Sequence, residues 1–345
     1  MDATVSIGKL NSLPRARLMA GETPLEPMLN LAREVGHPNL FVKRDDLTGL
    51  AFGGNKVRQL EFYLGEAQVR EADTVVITGA VQSNFVRLAA ASARKLGMEC
   101  HIQLEDRVPK NDPTYKASGN VLVDRILGAT LHEFPEGEDE AAADQRLEDI
   151  ADGLRKDGRK PYVIHLAPGH APLGALGYVD AARELLAQCD SLGSAPDEVV
   201  LASGSGHTHG GMLFGLRALG SRARVTGICV RRDAGQQLQR ITDRCGEIAS
   251  LLEMENPVAE GDVVVCDKHL GAGYGRASEE VLDAMGLAAR CEGMITDPVY
   301  TAKAFCGFVG RAHETDPGST IVFIHTGGTP AIFAYERELT AAFSR

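Results

Sequence analysis

Two open, mainly parallel α/β sheets, arranged as two lobes with a ligand cleft between them, are what this sequence predicts. Three observations lead there. Short apolar runs alternate with longer amphipathic ones, the connections between them are short, and the alternation completes one set before residue 160 and then resumes. A chain of 345 residues is one large domain or two ordinary ones. Residues 1–50 hold little helical pattern yet carry a strand. We therefore read residues 51–160 as a smaller domain inserted into a larger one made of 1–50 and 161–345. Ligand sites favour the cleft between such lobes.

The elements follow in order. Residues 39–43 (NLFVK) read as a strand and 57–67 (VRQLEFYLGEA) as an amphipathic helix. The run 74–78 (TVVIT) is a continuous apolar strand, and the helix over 85–96 ends before Gly97, a natural stop. A strand at 101–104, a helix at 118–127 and a strand at 130–134 complete the first set. The acidic stretch 136–140 (EGEDE) reads as a solvated loop or helix start. The second set has strands at 162–166, 198–202, 225–230, 262–265 and 320–324. Its helices are expected over 175–189, 209–219, 234–251, 279–287 and 301–309.

Composition narrows the function. Hydrophobic residues at 44% and charged residues at 24% are those of a globular protein. A formal charge of −11 with no basic block argues against nucleic-acid and anionic-membrane partners. The seven cysteines are scattered, odd in number and free of any CxxC pair, which suits neither a disulfide framework nor a zinc site. Residues 1–21 never accumulate the apolar run of a signal peptide, and no segment approaches the roughly 18 to 20 apolar residues of a membrane span. A cytoplasmic location is expected.

Lys56 follows Gly53-Gly54-Asn55, and glycines let backbone approach a bound group closely. A Schiff-base lysine needs that approach, and an aldehyde cofactor such as pyridoxal phosphate supplies the carbonyl. The plainer alternative is a surface lysine at a helix start. Gln82-Ser83-Asn84 opens a helix after the strand 74–78, where its donors serve equally for capping or for binding a carboxylate. The strand-to-helix turn Gly204-Ser205-Gly206-His207-Thr208 presents backbone N–H groups and a hydroxyl to a phosphate. It lacks the third glycine and the acidic residue of a dinucleotide fingerprint. His207 and His209 stand at alternate turn positions without a flanking carboxylate or thiol, a poor metal pair, and no metal is expected. Tyr274 lies in a glycine turn and Tyr300 just ahead of a helix, both poorly placed for core. Thr326 follows the strand 320–324, at the kind of strand end where open α/β sheets hold ligands.

Five segments together resemble the family of D-cysteine desulfhydrase, 1-aminocyclopropane-1-carboxylate (ACC) deaminase and L-cysteate sulfo-lyase. They are KRDDLTGLAFGGNKVRQLE, TGAVQSNFVRLAAASARKLGM, LASGSGHTHGG, ITDPVYTAKA and FIHTGGTPAIFAY, in order over about residues 10 to 336. The resemblance implies a pyridoxal-phosphate enzyme of the tryptophan-synthase-β-like fold (fold type II), working as a homodimer on a small amino acid. It implies that Lys56 forms the Schiff base, that Asn84 bonds the ring hydroxyl and that Ser83, with Gln82 beside it, holds the substrate carboxylate. Gly204, Ser205, Gly206, His207 and Thr208 would cradle the phosphate, Thr326 would face the ring nitrogen, and Tyr274 and Tyr300 would be the active-site tyrosines.

Departures from the pattern bear on the substrate. ACC deaminases carry glutamate where Thr301 stands and tend to an apolar residue at Thr326. A hydroxyl at the ring nitrogen leaves it largely unprotonated, a weaker electron sink that suits β-elimination. Gln59 replaces a usual lysine, and Phe85 a more usual polar residue. The expected reaction is α,β-elimination from D-cysteine, with L-cysteate next and ACC third. Outside this class stand a nucleotide-binding oxidoreductase, against which the misplaced glycines argue, and a non-catalytic ligand-binding relative, against which Lys56 argues.

Overall fold

Runs of apolar and β-branched residues build the strands of two separate sheets in the computed structural model, which describes residues 7–110, 112–167 and 169–344. The chain enters through β1 (Leu25–Pro27), α1 (Leu29–Val35) and β2 (Leu40–Lys43), and α2 (Lys56–Val69) leads to β3 (Thr74–Ala80). Next come α3 (Asn84–Lys95), β4 (Glu99–Glu105), α4 (Pro113–Ala117), α5 (Asn120–Ile126), β5 (Thr130–Phe134), α6 (Glu140–Lys156) and β6 (Pro161–Ile164). The second set is α7 (Leu173–Ser191), β7 (Glu198–Ser203), α8 (His207–Ala218), β8 (Arg224–Cys229), α9 (Ala234–Leu252) and β9 (Val264–Cys266). It closes with α10 (Glu279–Glu292), α11 (Thr301–Glu314), β10 (Ile321–Ile324) and α12 (Glu336–Phe343).

The six-stranded sheet has the order β1-β2-β10-β7-β8-β9, parallel except for β1, and the four-stranded sheet β5-β4-β3-β6 is parallel throughout. Every residue of β3 and of β10 is buried, as central parallel strands covered on both faces must be. All seven cysteines are free. Among the described residues no helix is long and apolar enough to cross a membrane.

Two sequence expectations change, and the stretch 136–140 is the helix start it was read as. Residues 161–164 were assigned to the larger lobe but form β6 of the four-stranded sheet, with Tyr162 opposite Val75 and Ile164 opposite Ile77. That pairing is made with a strand far upstream, which no local pattern reveals. The helix expected over 118–127 begins at Asn120, behind the short α4. The stretch 136–140 leads directly into α6, a 17-residue helix that buries Ala143, Leu147, Ile150 and Ala151.

A buried charge network fixes the helix that carries Lys56. Arg58 on α2 donates to Asp45 (2.9 and 3.1 Å), to both oxygens of Glu184 on α7 (2.8 Å each) and to the Thr23 hydroxyl (2.9 Å). Lys43 on β2 also donates to Glu184 and to the Thr23 carbonyl, and the Tyr178 hydroxyl donates to Asp45. Burial alone would raise the Asp45 pKa; the Arg58 charge overrides it and holds the carboxylate below its ordinary range. Removing one partner of a buried pair strands the other charge. Arg58→Met is therefore expected to lower unfolding stability by about 3–5 kcal/mol, read from the denaturant midpoint.

Candidate active site

The C-terminal ends of strands from both sheets converge on one cavity. Its wall takes Ser83 and Asn84 from beyond β3, Arg107 from beyond β4, Gly204 to Gly206 from beyond β7, Arg231 and Arg232 from beyond β8, and Thr326 from beyond β10. This is where parallel α/β sheets hold ligands. Lys56 enters at the first turn of α2.

The Lys56 loop rests on glycine conformations. Gly53 and Gly54 have φ of 66° and 128°, and a Cβ on Gly54 would lie 3.1 Å from the Thr326 carbonyl oxygen. Arg87 Nη2 donates to the Gly53 carbonyl (2.9 Å), and the Gly54 N–H donates to the Thr48 hydroxyl (2.8 Å). Lys56 Nζ has no carboxylate partner among the described residues. It donates to Gln59 Oε1 at 3.3 Å and stands 5.1 Å from the Phe85 ring centre. Burial without a counter-charge brings its pKa down to about 8.

Gly206, at φ 95°, caps α8, whose first N–H groups have no partner within the helix. Thr208 Oγ1 accepts from Asn55 Nδ2 (2.8 Å) and Gln59 Nε2 (2.9 Å), so its own hydrogen is free for an anion. Gln59 brings no charge but orients both Thr208 and Lys56. Cationic charge comes instead from Arg240, which donates to the Ser205 carbonyl (3.1 Å), and Arg232, which donates to the Gly204 carbonyl (3.3 Å).

Two expected site residues are corrected. The His207 ring is buried behind the turn, with Nε2 3.4 Å from the Tyr63 hydroxyl and Nδ1 3.3 Å from Ser205 Oγ. Burial, and then the Arg244 charge, hold its pKa far below the ordinary value. Its side chain is not part of the cavity wall. The Gln82 side chain is equally committed elsewhere. It donates to the Tyr115 and Ser118 carbonyls (2.6 and 3.0 Å) and accepts from the Asn120 N–H (2.9 Å).

Gln82 acts through Asn120. Asn120 Nδ2 donates to Asn84 Oδ1 at 3.0 Å, which leaves the Asn84 amide hydrogens aimed as donors. Ser83 Oγ accepts from the N–H groups of Phe85 and Val86 (3.2 and 3.5 Å), a helix cap that still has its hydroxyl hydrogen to give. Tyr274 and Tyr300 share a hydroxyl hydrogen bond, their ring centres 5.7 Å apart. Burial raises both pKa values, so both are neutral proton donors near pH 7. Asp297 sets the Tyr300 loop by accepting from the N–H groups of Val299, Tyr300 and Thr301 and from the Thr301 hydroxyl (2.8–3.0 Å). Thr301 is thus buried and bonded to Asp297 rather than open to the cavity. Thr326 does line the cavity.

The sequence reading missed the arginines. Arg107, Arg231, Arg232 and Arg240 all line the cavity. Glu105 pairs with Arg107, and Glu140, from the start of α6, pairs with the other three. Burial, then like charge from Arg240, lowers the Arg232 pKa to about 10. Arg231 and Arg232 sit immediately past a strand end, a position that itself marks them as candidates.

Comparisons with known proteins agree with this geometry. Residues 16–327 match the family of pyridoxal-phosphate dependent enzymes. An ACC deaminase of Burkholderia vietnamiensis is 39% identical over 330 residues, covering 94% of this chain and 97% of the relative. A D-cysteine desulfhydrase of Klebsiella pneumoniae is 38% identical over 338 residues, covering 97% and 100%. The crystal structure of an ACC deaminase homologue superposes with a TM-score of 0.88 at 36% identity, covering 99% of this chain and all of that one. A threonine deaminase of T.th. shares the fold alone, with a TM-score of 0.61 at 20% identity over 89% and 92% of the two chains. The chain belongs to the pyridoxal-phosphate dependent enzymes and is of the lyase and deaminase type. A buried amine with no carboxylate partner among the described residues, a helix start with a free hydroxyl hydrogen and an oriented amide donor fit a phosphorylated aldehyde.

Only a neutral amine attacks a carbonyl, and the lowered pKa of Lys56 makes that form available near pH 8. The rate at which cofactor-free enzyme captures pyridoxal phosphate is expected to rise with pH through about 8 and then level, rather than to climb towards 10.5. Stopped-flow absorbance across a pH series reads this directly.

Proposed function

We propose that this enzyme removes the β-substituent and the amino group of a small amino acid, with D-cysteine as substrate and pyruvate, ammonia and sulfide as products. The observation that carries the proposal is the Lys56 amine. It is free of any carboxylate and stands in one cavity with the anion-binding starts of α3 and α8. Relatives named ACC deaminase and D-cysteine desulfhydrase support the reaction class.

Bound pyridoxal phosphate supplies the electron sink that makes the Cα hydrogen acidic. Lys56 would hold the cofactor covalently and, as a neutral amine, would be the group that accepts the Cα proton. Thr208 and the N–H groups of residues 204–208 would hold the phosphate, the Asn84 amide would donate to the ring hydroxyl, and Ser83 would hold the substrate carboxylate. Thr326 would offer a hydroxyl, not a carboxylate, to the ring nitrogen. That would keep the sink weak and favour expulsion of a leaving group over opening of a cyclopropane ring. The neutral Tyr274 and Tyr300 pair is placed to protonate what departs. We take the working unit to be a homodimer in the cytoplasm, an assembly that light scattering reads.

A second reading, L-cysteate with sulfite as the leaving group, is favoured by one observation. Arg107 and Arg231 line the cavity with the tyrosines and offer a sulfonate its cationic partners.

A panel of D-cysteine, L-cysteate and ACC, scored for pyruvate, 2-oxobutyrate, sulfide and sulfite, tests the assignment. Faster formation of 2-oxobutyrate from ACC than of pyruvate from D-cysteine or L-cysteate overturns the proposed branch. Lys56→Ala is expected to abolish turnover with the fold intact by circular dichroism. Thr208→Val removes a hydrogen bond to a charged group, a loss of roughly 1.5–3 kcal/mol. Cofactor affinity should fall about 10- to 150-fold, with kcat at saturating cofactor changed far less.

A further inference from the structure

The rim of the cavity holds a second group of side chains that the elimination does not use. Asp144 on α6 lines the cavity, and two histidines from the loop between β6 and α7 close on it. His165 Nδ1 lies 3.2 Å from one Asp144 oxygen, and His170 Nε2 lies 3.2 Å from the other. One ligand atom from each residue falls within 4.8 Å of the others. Glu148, one turn further along α6, stands 3.0 Å from His165 Nε2.

Glu148 decides how His165 is used. A carboxylate only accepts, so Nε2 carries the hydrogen, and whenever the ring is neutral Nδ1 presents a lone pair. Nδ1 is buried and faces an Asp144 oxygen, which is itself only an acceptor, at 3.2 Å. Two electron-rich atoms at this separation repel unless a cation lies between them. A histidine backed by a carboxylate at one nitrogen, with the other nitrogen turned to a cation, is the arrangement of metal-ligating histidines.

We propose that Asp144, His165 and His170 form a binding site for a zinc-type divalent metal at the mouth of the catalytic cavity, with Glu148 orienting His165. Zinc holds nitrogen and oxygen ligands at about 2.0–2.2 Å, which spaces neighbouring tetrahedral ligands roughly 3.4 Å apart. The 3.2 Å between His165 Nδ1 and its Asp144 oxygen is close to that spacing, and His170 faces the other oxygen of the same carboxylate. Two imidazoles and one carboxylate suit zinc, nickel or copper and not magnesium or calcium. The imidazole rings are stacked, their centres 3.8 Å apart and their planes 5° from parallel. An imidazole coordinates within its own plane, so both rings cannot reach one ion as they stand. His165 and Asp144 are set on the protein, and His170, exposed on its loop, is the ligand that turns to close the site.

The test uses the full-length enzyme loaded with pyridoxal phosphate, dialysed to equilibrium against zinc, with cobalt(II) as a separate spectroscopic probe. One zinc per chain is expected beyond what Asp144→Asn retains, with cobalt giving an intense four-coordinate ligand-field band. His165→Gln should weaken zinc binding at least as much as Glu148→Gln, which keeps all three ligands and should weaken it about 10- to 100-fold. His170→Gln should cost less than His165→Gln. His269→Gln alters the separate grouping of His269, Glu280 and Cys306 and should leave this zinc in place. Should Asp144→Asn fail to fold, His170→Gln at an exposed position and Glu148→Gln at a half-buried one carry the comparison. A wild-type enzyme that binds no zinc, or binds it equally when His165, His170 or Glu148 is replaced, overturns the proposal; the cation between His165 and Asp144 is then a proton. Metal stoichiometry is independent of which amino acid the enzyme consumes, so this failure and failure of the substrate assignment are separable.

Discussion

The closed charge network around Arg58 is the constraint on which the site depends. Arg58 and Lys56 lie two residues apart on α2, and at 3.6 residues per turn they point to opposite sides of the helix. One side is held by Asp45, Glu184 and Thr23, while the other presents Lys56 and Gln59 to the cavity. The network sets two cations, Arg58 and Lys43, against two anions, so each charge is balanced only while α2, β2 and α7 keep their places. Neither turning nor sliding of α2 is possible without stranding a buried charge. The position of the Lys56 amine is inherited from that lock. Asn55 and Gln59 carry the same registration across to Thr208, so the amine and the anion cradle keep a fixed separation.

A second balance operates inside the cavity. The chain carries a formal charge of −11, yet four arginines line this one cleft. Glu105 and Glu140 neutralise part of that charge, and the lowered pKa of Arg232 records how crowded the remainder is. A low-dielectric cleft lined by one sign of charge concentrates its field and draws in the opposite sign. An acidic protein thereby accommodates an anionic cofactor and an amino-acid carboxylate. Glu140 comes from α6, beside the four-stranded sheet, whereas its partners follow strands of the six-stranded sheet. The same ion pairs therefore tie the two sheets together across the opening.

Much of this was legible because its signals are local. The continuous apolar runs at β3, β7 and β10, the glycines before Lys56 and the strand-to-helix turns at Ser83 and Gly206 are each written in a few adjacent residues. What escaped depends on partners far along the chain. Membership of β6 in the smaller sheet follows from pairing with β3. Gln82 adjoins Ser83 in sequence, but its amide turns to Tyr115, Ser118 and Asn120. His207 lies inside the glycine-rich turn, yet its ring is claimed by Tyr63 from α2. The arginines come from three separate segments and make no motif at any spacing. In α6 a signal was present, with apolar residues at 143, 147, 150, 151 and 154, and the acidic stretch just before it masked the period.

The crossing of two glycine loops has a consequence for how such an enzyme can change. Gly54 stands against the Thr326 carbonyl, and a Cβ on Gly327 would come within 2.8 Å of Gly54 Cα. The loop that delivers Lys56 and the loop that delivers Thr326 therefore touch backbone to backbone, with no side chain between them to trim or enlarge. Any residue larger than glycine at that contact displaces Lys56 and Thr326 together. Elsewhere on the cavity wall Arg107 pairs with Glu105 and Arg231 with Glu140 through side chains alone. Substitution there can reshape what the cavity accepts while the two backbone loops stay as they are.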